Sequence, residues 1–125
     1  MRKPYLSVII PAYNASGTLG KLLDSLAKST FKNFEVIVGD DASNEQYLVG
    51  KGIKIVRLTR NRGPAAARNA AARRAKGNVL VFLDADVTVY PDTMAAIAGK
   101  FKEDHDLTAV TGVWDKHQHT KSFFP

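Results

Sequence analysis

Two carboxylates one residue apart, Asp84 and Asp86, close the apolar run Val79-Leu80-Val81-Phe82-Leu83. If extended geometry continues through them, residues i and i+2 point to the same side, and Ala85 leaves room between. Two carboxylates converging on one point repel each other unless a cation sits near them. Hard divalent cations, Mg²⁺ or Mn²⁺, favour such oxygen ligands. Mg²⁺ takes one or two carboxylates and fills its other positions with phosphate oxygens. The pair therefore suits a metal-bound di- or triphosphate. A plainer role stays open, because acidic residues at strand ends also serve as turn formers and helix caps. A second acidic pair, Asp40-Asp41 in VGDDASN, ends another apolar run. There a simple turn competes with a binding role, in which an aspartate accepts hydrogen bonds from a base or ribose. In an open parallel sheet, ligands lie beyond the carboxyl ends of the strands. Two acidic strand ends in one sheet point to a common cleft more strongly than either does alone.

Basic residues gather between these two pairs: Arg57, Arg60, Arg62, Arg68, Arg73, Arg74 and Lys76. Most fit a solvated helix face. Arg68 stands apart, in the first turns of a helix opened by Gly63-Pro64, where the helix N-terminus and a guanidinium together can hold phosphate. His105, His117 and His119 fall late in the chain. His117 and His119 have the spacing of one strand face but no evident third ligand, so they read as a surface loop and not a metal site.

The elements that must position these groups follow from periodicity. Tyr5 to Pro11 is a β-branched apolar run closed by proline, the pattern of a buried strand. Leu19, Leu22, Leu23 and Leu26 sit at i, i+3, i+4 and i+7, one helical face, with Ser16 or Thr18 as candidate caps. Phe34 to Gly39 is a second strand, and Ile53 to Leu58 a third, more alternating and so nearer an edge. Gly63-Pro64 opens an alanine-rich helix with proline suited to the first turn, and Gly77 is its expected end. Val79 to Leu83 reads as the fourth and most buried strand. Pro91-Asp92 opens a helix with Met94, Ile97, Ala98 and Phe101 on one face. Leu107 to Val113 reads as a fifth strand. This alternation predicts an α/β fold: a mainly parallel, doubly wound sheet with helices on both faces. The tail DKHQHTKSFFP has no visible partner element. Its two terminal phenylalanines suggest a chain cut short.

The 125 residues are 45% hydrophobic and 24% charged, the size and balance of one small globular domain. The absence of cysteine excludes disulfides and thiolate zinc sites. It is compatible with a reducing compartment, so a cytoplasmic placement, including the cytoplasmic membrane face, is expected. A net charge of +6 suggests anionic partners: nucleotides, nucleic acid or an anionic membrane surface. No apolar run approaches the roughly 20 residues of a membrane span. The opening MRKPYLSVIIPAYN reads as a strand and not a signal peptide, because its apolar run is short and ends at Pro11.

Three ordered blocks now resemble a known family, the nucleotide-diphospho-sugar glycosyltransferases of the GT-A fold known as glycosyltransferase family 2. SVIIPAYNASGTLGKLLDSL resembles the family's first strand and helix. FEVIVGDDASN resembles its F-E-(I/V)-I-V-V-D-D-G-S segment. NRGPAAARNAAARRAKGNVLVFLDADV resembles its N-x-G-x-x-x-A-R-N segment running on to F-L-D-A-D. The likeness covers about residues 5 to 115. It implies that Pro11, Ala12 and Tyr13 line a nucleobase pocket, that Asp41 bonds the base, and that Arg68 lies beside the nucleotide. Asp84 would face the ribose or metal side, and Asp86 would ligate Mg²⁺ or Mn²⁺. A bound cation would bridge the diphosphate and stabilise the charge that grows on the leaving group. The implied donor is a nucleotide-diphospho-sugar, with uridine the family's commonest base. The sugar and the acceptor stay open.

Ala42 stands where the family has glycine, the Ser43 to Gly52 link is shorter than usual, and Val87 stands where another acidic residue is frequent. The family's catalytic base and acceptor site lie in a second half that follows this region. The expectation is therefore a donor-binding domain over 1–115, with 116–125 a tail leading to a missing acceptor-binding half. Such a fragment would transfer no sugar alone, and detectable transfer would contradict this. Membrane association of a longer parent chain stays open. Two other readings compete. A sugar-nucleotidyltransferase would show a glycine-rich basic loop after the first strand, and PAYNASGT lacks the basic pair. A non-catalytic module for nucleic acid or anionic membrane would use the basic face. Against it, Asp40, Asp41, Asp84 and Asp86 would repel a phosphate backbone, so no nucleic acid is expected.

Overall fold

A computed structural model describes residues 3–47, 49–114 and 122–124. Strands β1 (Leu6–Ala12), β2 (Phe34–Asp40), β3 (Ile53–Arg57) and β4 (Val79–Phe82) form one sheet in the order β3-β2-β1-β4. Every neighbouring pair is parallel. The chain steps outward from β1 through β2 to β3, then returns to place β4 on β1's other side. The reversal puts a topological switch point at the carboxyl ends of β1 and β4, where open sheets bind ligands.

β1 is apolar apart from Ser7 because both its faces are covered, and all its residues are buried. Val8, Ile10 and Ala12 meet Leu19, Leu22 and Leu26 of α1 (Ser16–Ala27) and Met94, Ile97 and Ala98 of α3 (Thr93–Glu103). On the opposite face Ile9 and Ile37 pack with Ala71 of α2 (Pro64–Ala72). Helices cover both faces, as the periodicity implied. Each fully buried leucine or isoleucine contributes about 2 kcal/mol, so this two-sided burial dominates the stability of the strand.

Several boundaries differ from expectation, each for a physical reason. α1 has no side-chain cap from Ser16 or Thr18; Ala15 occupies the cap position. The Ser16 N–H donates instead to the Glu45 carboxylate at 3.1 Å, a negative group from a distant loop at the helix's positive end. α2 ends at Ala72, not at Gly77. Gly77 serves a close approach, since a Cβ there would lie 2.6 Å from the Ser7 hydroxyl. β4 is an edge strand among the described residues, not the most buried one: Leu80 and Phe82 are 42% and 47% exposed. Leu107 to Val113 is not a strand over most of its length. The segment 107–112 makes no ladder among the described residues, and only Val113 pairs. It forms one wall of a groove along β4, with Leu80 and Phe82 on the other.

Three short strands, β5 (Thr88–Val89), β6 (Val113–Trp114) and β7 (Ser122–Phe124), make a second sheet in the order β5-β7-β6. β7 is parallel to β5 and antiparallel to β6, so the tail does have a partner element. Two- and three-residue strands carry too little periodicity to be read from sequence. His117 and His119 lie outside the described residues. No helix among the described residues is long and apolar enough to cross a membrane.

Candidate functional site

Beyond the carboxyl edge of the sheet, a pocket of about 380 Å³ is lined by Pro11, Ala12, Tyr13, Asp41, Asn61, Gly63, Pro64 and Ala67. Pro11 and Ala12 close β1, and Tyr13 follows with 50% of its surface exposed. Three elements meet here because α2 lies directly on β2. Gly39 permits this: a Cβ at that position would collide with the backbone carbonyl of Ala67. Gly63, at φ 96°, turns the chain into α2, and Pro64 takes the first helical position.

Asp41 is 3% exposed and its carboxylate is aimed by backbone. Oδ1 accepts the Arg62 N–H at 2.7 Å and Oδ2 accepts the Gly63 N–H at 2.8 Å. These donors open α2, so the anion held at this helix end is the protein's own carboxylate. Each carboxylate oxygen keeps a second lone pair, so Asp41 can still accept a base N–H. Asp40 points to the other side of β2 and is fully buried. It accepts from the Ser43 hydroxyl at 2.5 Å and the Ser43 N–H at 3.0 Å, and pairs with Arg57 Nε at 3.1 Å. A buried carboxylate requires such partners.

The carboxylates after β4 are built differently. The strand ends at Phe82, and residues 84–87 form a turn in which the Asp84 carbonyl accepts the Val87 N–H at 3.3 Å. Strand alternation does not run through Asp84 and Asp86, contrary to the simplest reading of their spacing. Both are exposed. Among the described residues no three His, Cys, Asp or Glu gather to hold a metal. A set of two carboxylates fits Mg²⁺ or Mn²⁺, which keep positions for water and phosphate, and does not fit structural zinc with its four protein ligands.

Of the residues singled out by sequence, Pro11, Ala12, Tyr13 and Asp41 share one pocket. Arg68, half-buried in α2, follows the pocket residue Ala67 without lining the pocket itself. Asp84 and Asp86 stand beyond β4, at the same edge of the sheet but outside that lining. Asn61, Gly63, Pro64 and Ala67 were missed as pocket residues. The sequence places them in the family-like block NRGPAAARN, with Gly63-Pro64 as a helix start, and not in a pocket.

A model of the family described as "Glycosyl transferase family 2" matches residues 7–124. The chain belongs to that family. An uncharacterized glycosyltransferase of Haemophilus influenzae is 41% identical over 91 residues, covering 70% of this chain and 31% of that protein. The crystal structure of S. aureus TarS 1-349 in complex with UDP-GlcNAc superimposes with a TM-score of 0.77 at 30% identity, over 93% of this chain and 36% of that one. The mannosyltransferase PcManGT from Pyrobaculum calidifontis, in complex with GDP-Man and Mn²⁺, gives 0.75 at 28% identity, over 92% and 37%. The fold is therefore the GT-A fold, and the family 2 chain described here spans well under half the length of each of these relatives.

Proposed function

We propose that residues 1–115 form the nucleotide-sugar donor domain of a metal-dependent family 2 glycosyltransferase, with a UDP-sugar as donor. The observation that carries this reading is the pocket beyond β1 and β2, whose exposed Tyr13 ring and backbone-held Asp41 carboxylate offer a stacking face and a hydrogen-bond acceptor to one flat heterocycle. The named ligands of the two solved relatives, UDP-GlcNAc and GDP-Man with Mn²⁺, support the ligand class.

On this reading Pro11, Ala12 and Tyr13 enclose the base and Asp41 accepts its N–H. Arg68 adds positive charge beside the diphosphate. Asp84 and Asp86 hold Mg²⁺ or Mn²⁺, with Asp84 also facing the ribose. When bound, the cation supplies charge stabilisation to the departing diphosphate. The protein's own part is to orient the donor and keep its phosphates at the open side of the switch point. Residues 116–125 lead toward an acceptor-binding part, and the catalytic base is assigned there. This chain alone then binds nucleotide weakly and transfers no sugar. A parent protein working at the cytoplasmic face of a membrane fits the basic surface.

The test is calorimetric titration of UDP into this chain with Mn²⁺, then with chelator, beside Asp86→Ala. Binding that requires the metal and disappears in the variant is expected. Equal binding with chelator present, or sugar transfer by this chain alone, would overturn the respective parts of the reading.

A further inference from the structure

Behind the two walls of the base pocket lies a hydrogen-bonded clasp. Ser43 Oγ lies 2.5 Å from Asp40 Oδ1, 2.6 Å from the Tyr47 hydroxyl and 2.8 Å from the Asn14 N. A serine hydroxyl has one proton and two acceptor lone pairs. The Ser43 hydroxyl donates to Asp40 Oδ1. The Asn14 N–H donates to the Ser43 oxygen, and the Tyr47 hydroxyl shares a hydrogen bond with it. The Tyr47 oxygen in turn accepts the Ala15 N–H at 3.3 Å. A second strap runs the opposite way, from the Asn44 N–H to Asn14 Oδ1 at 2.9 Å.

The position of this clasp matters. Asn14 directly follows Tyr13, and Ser43 lies two residues past Asp41. The clasp thus ties the tyrosine wall to the aspartate wall just behind the groups that face the pocket. Both walls need holding. Among the described residues, Asn14 and Ala42 are the positive-φ residues other than glycine, at 48° and 59°, one in each wall. Such conformations persist where surrounding contacts over-determine them. Asp40, fully buried, is itself steadied by Arg57 from β3, so the clasp is anchored in the sheet.

We infer that Ser43, aligned by Asp40 and Tyr47, is a positioning residue that sets the gap between Tyr13 and Asp41 and so governs affinity for the nucleobase separately from the diphosphate. This rests on the donor-domain reading. It assigns base recognition to the wall-to-wall clasp and leaves phosphate recognition to the opposite, open side.

The experiment is NMR titration of uridine, and separately of Mg²⁺ with pyrophosphate, into the chain and into Ser43→Ala, Ser43→Thr and Tyr47→Phe. Ser43→Ala should weaken uridine binding about tenfold, the effect expected when the buried Asp40 carboxylate loses a hydrogen-bond donor. Pyrophosphate affinity should stay unchanged. Ser43→Thr, which keeps the hydroxyl, should restore most of the uridine affinity. Tyr47→Phe should give a smaller loss with the same selectivity, which guards against a serine variant that fails to fold. Equal losses for both ligands, or uridine affinity unchanged in Ser43→Ala and Tyr47→Phe, would overturn the inference while leaving the donor-domain reading intact. Failure of the unaltered chain to bind either ligand would overturn both.

Discussion

Asp41 and Asp86 both follow parallel strands at the same edge of one sheet, yet Asp41 is 3% exposed and Asp86 is exposed. The proposed base side is hydrogen-bonded before any ligand arrives. Asp41 takes two backbone N–H groups, Asp40 takes Ser43 and Arg57, and the loops are strapped together. The proposed metal side is a short surface turn after an edge strand. The difference follows from what each side would recognise. A flat heterocycle is selected by a rigid slot with fixed acceptors. A hydrated divalent cation carrying phosphates needs two carboxylates and open space. On the base side the carboxylates are buried among named donors, and on the metal side Asp84 and Asp86 are exposed.

Breaking that comparison most severely, Asp41→Asn should lower stability by about 2 kcal/mol in urea denaturation. Its amide nitrogen would face one of the backbone N–H donors of Arg62 and Gly63. The matching change Asp86→Asn should cost less than that, because Asp86 is exposed where Asp41 is 3% exposed. Equal losses would mean the two sides are built alike. Next in size, Tyr13→Ala should weaken UDP binding by about 1 kcal/mol in calorimetry, through loss of a stacking face, and leave the thermal midpoint nearly unchanged because the ring is half exposed. Smaller still, Ala42→Gly should stabilise the chain by about 0.5 kcal/mol. Relief of a left-handed alanine, about 1 kcal/mol, is partly offset by glycine's greater unfolded-state entropy.

The last prediction uses a carboxylate remote from both sides. Glu35, at the opposite end of β2, accepts from the Ser7 hydroxyl at 2.7 Å, the Lys76 N–H at 2.7 Å and Lys54 Nζ at 3.2 Å. Burial pushes its pKa up, but these donors and the Lys54 charge outweigh that and hold it below the usual carboxylate range. Because the folded pKa is depressed, its stabilisation is present above the unfolded value, about 4.3, and is lost as pH falls through the folded one. Thermal midpoints should drop across that acidic window, and Glu35→Gln should flatten the drop without changing uridine affinity at neutral pH.

The sequence by itself determined the strand-helix alternation, because β1, α1, α2 and α3 have long, clean periods and a two-sided or one-sided apolar pattern. It also pointed to Pro11, Ala12, Tyr13 and Asp41 as a group, through the likeness of the blocks that carry them. Only the tertiary structure decided the rest. Val79-Leu80-Val81-Phe82 reads as a buried strand by composition, but burial depends on what stands beside it, and β4 has β1 on one side only among the described residues. Residues 107–112 have strand-like composition and no ladder among the described residues, since a strand forms only with a partner within hydrogen-bond reach. The spacing of Asp84 and Asp86 promised one shared face, and a turn intervened. Ser43, Tyr47 and Asn14 are ordinary polar loop residues in sequence. Their role comes from contacts across 29, 30 and 32 positions of chain, which no local pattern records.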